Sequence, residues 1–388
     1  MMIGDGLTHG RYRRGEMTLG EKLWQVSWSF IMLISLLAGI GVAMLYSAAN
    51  GDMDPWASRH ITRFGVGLSL LLAVAVIDVR QWMRYAFWLY GLALVLLVAV
   101  EIKGTVGMGA QRWIDLGFFQ IQPSELMKVT LVLALARFFH GADLADVGRP
   151  LFLVIPTLMV LVPVALVLKQ PDLGTALMMM AGGGVLFFVA GVRLWKFALV
   201  IAAGLSAIPV AWGFLHDYQK QRVLTFLDPE RDPLGAGYHI LQSKIALGSG
   251  GLWGKGFLLG TQSHLNFLPE KQTDFIFVML AEEFGMMAGM GLLLLYVLVV
   301  VYGIAIALRC RNHFGRMVAI GVTVTFFLYV FINIAMVMGL IPVVGVPLPM
   351  VSYGGTAMLT LMIAFGLLMS VWVHRDVQIG RRGAFDDG

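Results

Sequence analysis

Asp274 stands where a polar loop meets an apolar run, in NFLPEKQTDFIFVMLAEEFG (266–285). Pro269 ends any regular element arriving from upstream, and Gln272, Thr273 and Asp274 offer capping oxygens just before Phe275-Ile276-Phe277-Val278. A carboxylate so placed is held at a membrane–water boundary, within reach of water, a polar headgroup and a lipid tail. An acid in a first helical turn also complements the helix dipole, so helix capping is the competing reading.

Other charged groups interrupt apolar stretches. Glu125 and Lys128 are three apart, hence on one helix face. At 1.5 Å per residue Lys128 lies roughly 7 Å into its helix, costly if it faced lipid, and Glu125 is its natural partner. The pair can serve chemistry or simply tie its helix to a neighbour. Asp172, in KQPDLGT (169–175), sits in a tight turn set by Pro171 and Gly174, where it can cap the next helix. Arg63, with Arg59, begins an apolar run, where snorkelling is the default, and Arg112 lies in the polar loop 102–122. Carboxylates beside cations in a lipid-flanked cleft suit two classes of protein. One is an enzyme acting on a lipid-linked phosphate substrate; the other is a transporter or flippase that moves one.

The elements that position these groups are membrane helices. With 59% hydrophobic and 13% charged residues over 388 positions and a mean hydropathy of +0.81, the chain is excluded from the ordinary soluble class. The expected fold is all-α, a polytopic integral membrane protein of about ten transmembrane helices, at 24–47, 61–77, 85–101, 123–140, 151–168, 174–191, 197–215, 274–308, 317–340 and 357–374. The long 274–308 run reads as two joined pieces. Basic residues of the short loops (Arg80, Arg84, Arg137, Arg149, Arg193, Lys196, Arg309, Arg311, Arg316) and of both ends collect on one side, which predicts cytoplasmic termini. The organisation is a basic cytoplasmic tail (1–23), one membrane domain (24–374) and a second cytoplasmic tail (375–388). A signal peptide is not expected, because the apolar run after the tail is too long for one. The single Cys310 rules out an intramolecular disulfide. The pI near 9.3 follows from the topology signal and requires no nucleic acid.

The one large extracytoplasmic loop, between spans seven and eight (216–273), is too polar to span and too apolar to float free. It is expected on or in the outer leaflet, in contact with membrane lipids. The Pro- and Gly-rich IPVVGVPLPMVSYGGT (341–356) is tolerated at membrane depth only if buried in protein or lining a cavity, and is taken as one cavity wall. Pro156 and Pro163 are expected to kink span five, and Gly182-Gly183-Gly184 to permit close helix approach. Without HExxH, CxxC, clustered His, GKS/GKT or GxSxG, the sequence does not predict a protein-held transition metal, a phosphate loop or acyl transfer.

QPSELMK (122–128), QPDLGT (170–175), QSKIALGSGGLWGKG (242–256), FLPEKQTDFIF (267–277) and PVVGVPLPMVSYGG (342–355), in this order, resemble the SEDS family of bacterial shape, elongation, division and sporulation proteins, its elongation branch more than its division branch. The resemblance implies a peptidoglycan glycosyltransferase that polymerises lipid II at the outer face of the bacterial cytoplasmic membrane. Asp274 matches the family's essential acid, and Glu125, Lys128 and Asp172 match polar residues of its central cavity. A class B penicillin-binding protein, a transpeptidase, is the implied partner, together with the elongation machinery around the actin-like cytoskeleton.

In that chemistry a sugar hydroxyl of one lipid II attacks the anomeric carbon of another while undecaprenyl pyrophosphate leaves. Asp274 as general base is expected to contribute roughly 10²–10⁴-fold. Lys128, with Arg63 or Arg112, would neutralise the developing pyrophosphate charge. The sequence assigns no certain cofactor, and oxygen ligands would suit a divalent cation such as Mg²⁺ bridging carboxylate and pyrophosphate. A lipid II flippase and a non-catalytic scaffold are the alternative readings.

Overall fold

The structure is a computed structural model that describes residues 17–107, 110–115, 117, 120–214, 220, 224–226, 228, 236–265, 267 and 270–380. Most of the turn-rich LDPERDPLGAGYH stretch (227–239) lies outside the described residues. In chain order the elements are α1 (Leu19–Gln25), α2 (Trp28–Ala48), α3 (Ala57–Val76), α4 (Val79–Lys103), β1 (Thr105–Gly107), β2 (Ala110–Asp115), β3 (Gln120–Ile121), α5 (Pro123–His140), α6 (Leu144–Val147), α7 (Pro150–Lys169), α8 (Leu173–Val189), α9 (Leu194–Phe214), α10 (Ala236–Ser249), α11 (Thr261–His264), α12 (Ile276–Arg309), α13 (His313–Val337) and α14 (Gly355–Val373).

A helix occupies every segment predicted to span. Among the described residues seven helices, α2, α7, α12 and α13 among them, are long and apolar enough to cross a membrane, so the chain is a multi-pass membrane protein. The helices α8 and α9 are apolar over shorter windows, and α5 carries Glu125, Lys128 and Arg137. The α13 and α14 windows are 67% and 78% buried, against 28% and 22% for α3 and α4. The core therefore sits on α13, α14 and the heavily buried α5, and the rim is what lipid would contact.

Three features refine the expectations. The loop 102–122 contains a small antiparallel sheet, β1-β2-β3, which short segments broken by glycine did not announce. Helix α7 is assigned as one element through Pro156 and Pro163. The long α12 is two joined pieces, as its length suggested, because Gly285 leaves the helical region at φ 77°. Gly254 of the outer loop approaches that break so closely that a Cβ on Gly285 would collide with the Gly254 nitrogen. The outer loop is thus driven into the bundle at α12. Of the three consecutive glycines in α8, Gly183 meets a neighbour closely, at Val160 of α7.

Candidate active site

Asp274 lies half-buried in the turn leading into α12, and the cap position falls one residue later, on Phe275. The backbone of this turn is stitched down residue by residue. The Gln272 carbonyl accepts from the Tyr353 amide at 2.8 Å. The Thr273 carbonyl accepts from the Ser352 hydroxyl at 2.5 Å. The Asp274 carbonyl accepts from Asn333 Nδ2 at 3.0 Å, and the same Nδ2 also donates to Val346 O at 2.7 Å. Asn333 is fully buried on α13, so one amide joins α13, the Asp274 turn and the 341–356 loop. Gly345 faces the carboxylate: a Cβ there would come within 3.5 Å of Asp274 Oδ2, and its φ of +79° suits glycine.

Arg63 reaches the same loop from α3. Its guanidinium lies 4.6 Å over the Tyr353 ring, and it packs so tightly on Gly355 that a Cβ there would sit 2.9 Å from Arg63 Cζ. Arg63 is therefore a neighbour of the Asp274 turn through Tyr353.

Asp172 caps α8, accepting from the Thr175 amide at 3.1 Å and the Thr175 hydroxyl at 2.9 Å. Arg112 of β2 stands 4.0 Å from its carboxylate and donates to the Gln170 and Pro171 carbonyls at 3.0 and 2.5 Å. The small sheet therefore delivers Arg112 to the turn before α8. Gly174 packs against Val344 so closely that a Cβ on it would collide with a Val344 methyl. The turn that holds Asp172 therefore packs through Gly174 on Val344 and Val346, and Asp274 faces Gly345 between them.

Glu125 and Lys128 are brought together, 2.8 Å apart, but not into the open. Both are buried, at 5% and 4% exposure. The Lys128 ammonium also donates to the Tyr329 hydroxyl, which in turn donates to Glu125, closing a three-membered knot between α5 and α13. The cavity beside the knot holds about 10 Å³, room for one water at most.

Sequence reasoning missed several residues. Tyr329 and Asn333 look like ordinary packing residues within a span, and their polar ends acquire meaning only from contacts more than a hundred residues away or across a loop. Glu282 and Glu283, both fully buried in α12, were visible as acids in an apolar helix. Glu282 accepts from Lys255 Nζ at 2.8 Å, the Gln262 amide at 2.9 Å and the Ser263 hydroxyl at 3.1 Å, which clamps the outer loop to α12. Glu283 accepts from Ser47 of α2 at 2.5 Å and contacts His264 Nε2 at 3.1 Å. Lys271 donates to the Ser263 carbonyl at 3.0 Å, and burial pulls its ammonium below the ordinary lysine range.

Among the described residues no three His, Cys, Asp or Glu side chains gather as a metal cage. A divalent ion here would draw one carboxylate from the protein and its other ligands from phosphate and water, a mode that Mg²⁺ accepts.

Comparison with known proteins identifies the family of the chain. The family FtsW/RodA/SpoVE, described as cell cycle proteins, matches residues 25–377. The peptidoglycan glycosyltransferase MrdB of Escherichia coli K12 is 51% identical over 279 residues, covering 70% of this chain and 73% of that protein. Among solved structures, a chain of a peptidoglycan synthase complex, studied for its coordination of polymerization and crosslinking, superposes with a TM-score of 0.78 at 34% identity, covering 90% of this chain and 98% of that one. The crystal structure of the rod shape determining protein RodA of Thermus thermophilus gives a TM-score of 0.69 at 30% identity over 90% and 97% of the two chains. The chain belongs to the FtsW/RodA/SpoVE family of polytopic membrane proteins, and its relatives place it in the RodA-like branch.

Proposed function

We propose that this protein is a peptidoglycan glycosyltransferase that joins lipid II units into glycan strands during cell elongation, with Asp274 as general base on the outer face of the cytoplasmic membrane. The observation that carries the reading is the Asp274 turn, whose three successive carbonyls are each bonded to α13 or the 341–356 loop. Such anchoring fixes one carboxylate while leaving it half-exposed, as proton transfer from a positioned hydroxyl requires.

In the reaction the acceptor sugar hydroxyl attacks the donor's anomeric carbon. The new glycosidic C–O bond forms as the bond to pyrophosphate oxygen breaks, and the hydroxyl proton passes to Asp274. Pyrophosphate is already a good leaving group and needs positive charge more than a proton. Arg63, beside the Asp274 turn, and Arg112, beside Asp172, are cations that can supply it. Lys128, closed in its buried knot with Glu125 and Tyr329, holds α5 to α13 behind them. If a divalent ion takes part, Asp274 and the substrate pyrophosphate would hold it. A class B penicillin-binding protein is the proposed partner, in line with the synthase complex that this chain resembles. Both termini are proposed to be cytoplasmic.

The test is strand synthesis from lipid II by the purified protein in detergent. The wild type should make glycan, and Asp274→Ala should lose it by about 10²-fold or more while keeping its thermal stability. Normal polymerisation by Asp274→Ala would sink the assigned role. No glycan from the wild type would favour a flippase or scaffold.

A further inference from the structure

The residues just before Ser352 and Tyr353, which hold the Asp274 turn, form a strained turn of their own. In Leu348-Pro349-Met350-Val351 the Val351 amide donates to the Leu348 carbonyl at 3.3 Å, closing a β-turn with proline second and methionine third. Met350 takes φ +62°. Because proline sets φ at about −65°, a left-handed residue after it gives the type II form, whose third position ordinarily belongs to glycine or asparagine. A bulky side chain there is an outlier that persists only where its surroundings over-determine it. The relaxed alternative, type I, differs by a flip of the single peptide group between Pro349 and Met350, and would return Met350 to negative φ.

Three helices hold that peptide in its strained orientation. Its own oxygen, Pro349 O, accepts from Tyr296 Oη of α12 at 2.7 Å. The next oxygen along, Met350 O, accepts from His60 Nε2 of α3 at 3.1 Å. A carbonyl only accepts, so this nitrogen carries the hydrogen. Gly41 of α2 lies so close that a Cβ on it would stand 2.7 Å from Met350 O and 2.8 Å from Val351 Cα. Tyr296, His60 and Met350 are all buried, so none of them meets a substrate and water does not compete for these bonds.

The turn passes its geometry on to Asp274. Ser352 Oγ accepts from the Leu348 amide at 2.8 Å and donates to the Thr273 carbonyl, while the Ser352 amide donates to the Leu348 carbonyl at 3.0 Å. The Tyr353 amide follows, bonded to the Gln272 carbonyl. A flip of the Pro349–Met350 peptide would shift Ser352 and Tyr353, and with them two of the three carbonyl anchors of the Asp274 turn. We propose that Tyr296 and His60 are positioning residues for Asp274. By holding the carbonyls of Pro349 and Met350 they keep a strained type II turn that sets Ser352 and Tyr353 against the Asp274 turn. The effect on rate rests on the glycosyltransferase reading above; the effect on the turn rests on these bonds alone.

The test uses full-length variants in detergent and reads kcat and KM for strand synthesis from lipid II, Tm, and hydrogen exchange at the Tyr353 amide. Tyr296→Phe removes one hydroxyl and should lower kcat by about tenfold, with KM little changed and exchange at Tyr353 faster. His60→Leu should act in the same direction, and His60→Gln, which keeps a donor, should recover part of its loss. The sharpest variant adds Met350→Gly to Tyr296→Phe. Glycine takes the third position of a type II turn without strain, so the double variant should regain kcat and exchange protection. Its Tm should nevertheless fall below that of Tyr296→Phe, because a buried side chain is lost. Ser370→Ala serves as the control: it removes a bond of the same kind, 2.7 Å to the Ile77 carbonyl at the far end of α3, and should lower Tm without changing kcat or exchange at Tyr353. Unchanged kcat and exchange in Tyr296→Phe, or a double variant with lower kcat than Tyr296→Phe, would overturn the proposal. A wild type that makes no glycan strikes the glycosyltransferase reading instead, and the exchange comparison then upholds or overturns the turn by itself.

Discussion

Two charged clusters lie one helical turn apart on α13 and are built in opposite ways. At Tyr329 the Glu125–Lys128 pair is closed on itself, buried, and backed by a cavity of about 10 Å³. At Asn333 the protein bonds the backbone of the Asp274 turn and leaves the side chain half-exposed beside a glycine. The first arrangement commits its polar atoms to one another in the interior; the second holds the backbone of a turn and leaves its carboxylate half-exposed. Residue type alone does not separate a structural charge from a chemical one. What separates them is exposure: Glu125 and Lys128 are buried, while Asp274 stands half-exposed beside Gly345 on a turn whose main chain is held.

The comparison breaks most sharply at Lys128. Lys128→Met should leave the Glu125 carboxylate buried without its ammonium and cost about 3–5 kcal/mol of stability. Thermal unfolding in detergent would register it as a large fall in Tm. The double change Glu125→Gln with Lys128→Met should recover most of the loss, because a buried pair replaced as a unit is often close to neutral. If Lys128→Met keeps its Tm and raises KM instead, the knot opens to substrate and the contrast with Asp274 fails.

This division also marks how far the sequence could be read. Asp274, Asp172, Glu125 and Lys128 stood out because charge in an apolar stretch is costly and must have a reason. The helices were legible for the same energetic cause: apolar runs of bilayer length. The sheet over 105–121 was not, since its strands are short and its purpose, carrying Arg112 to Gln170 and Pro171, is a tertiary fact. Tyr329 and Asn333 were hidden because a single hydroxyl or amide within a span reads as packing. Only the loop that comes back at 341–356 turns Asn333 into a clamp on Asp274.

Asn333 offers the next largest effect. Asn333→Leu removes the donor shared by the Asp274 and Val346 carbonyls, at about 1–3 kcal/mol for a buried group left unsatisfied. Strand synthesis should fall by about 10²-fold, because a displacement near 1 Å suffices for that. The loss should appear mainly in kcat, with KM little changed, and Asn333→Gln should restore part of it. A fall in Tm without a fall in kcat would make Asn333 structural only.

Asp172, whose turn packs on Val344 and Val346, offers a smaller change. Asp172→Ala removes the α8 cap to Thr175 and should cost about 1 kcal/mol. Asp172→Asn keeps an acceptor for the Thr175 amide and should retain most of that stability while withdrawing the charge beside Arg112. If activity follows the charge and Tm follows the cap, the two variants will order differently in the two assays. If both assays rank them alike, Asp172 is a cap and nothing more.

The smallest effect is a pH slope at Lys271, in the turn that leads to Asp274. Burial holds its folded-state value below the 10.5 of a free lysine. Between that depressed value and 10.5 the unfolded chain binds more protons than the folded one, so stability rises with pH across that interval and is flat below it. Replacement by Met removes the titrating group while keeping the stem that fills the site. Lys271→Met should therefore erase this rise, which a series of thermal melts on the alkaline side can resolve. Because the turn carrying Lys271 continues into Gln272, Thr273 and Asp274, whose carbonyls are separately bonded, the variant should leave strand synthesis near neutral pH unchanged. A substantial loss of synthesis would mean that the anchoring of Asp274 extends back to Ser263 and the outer loop, and that the half-exposed carboxylate is positioned by more than α13.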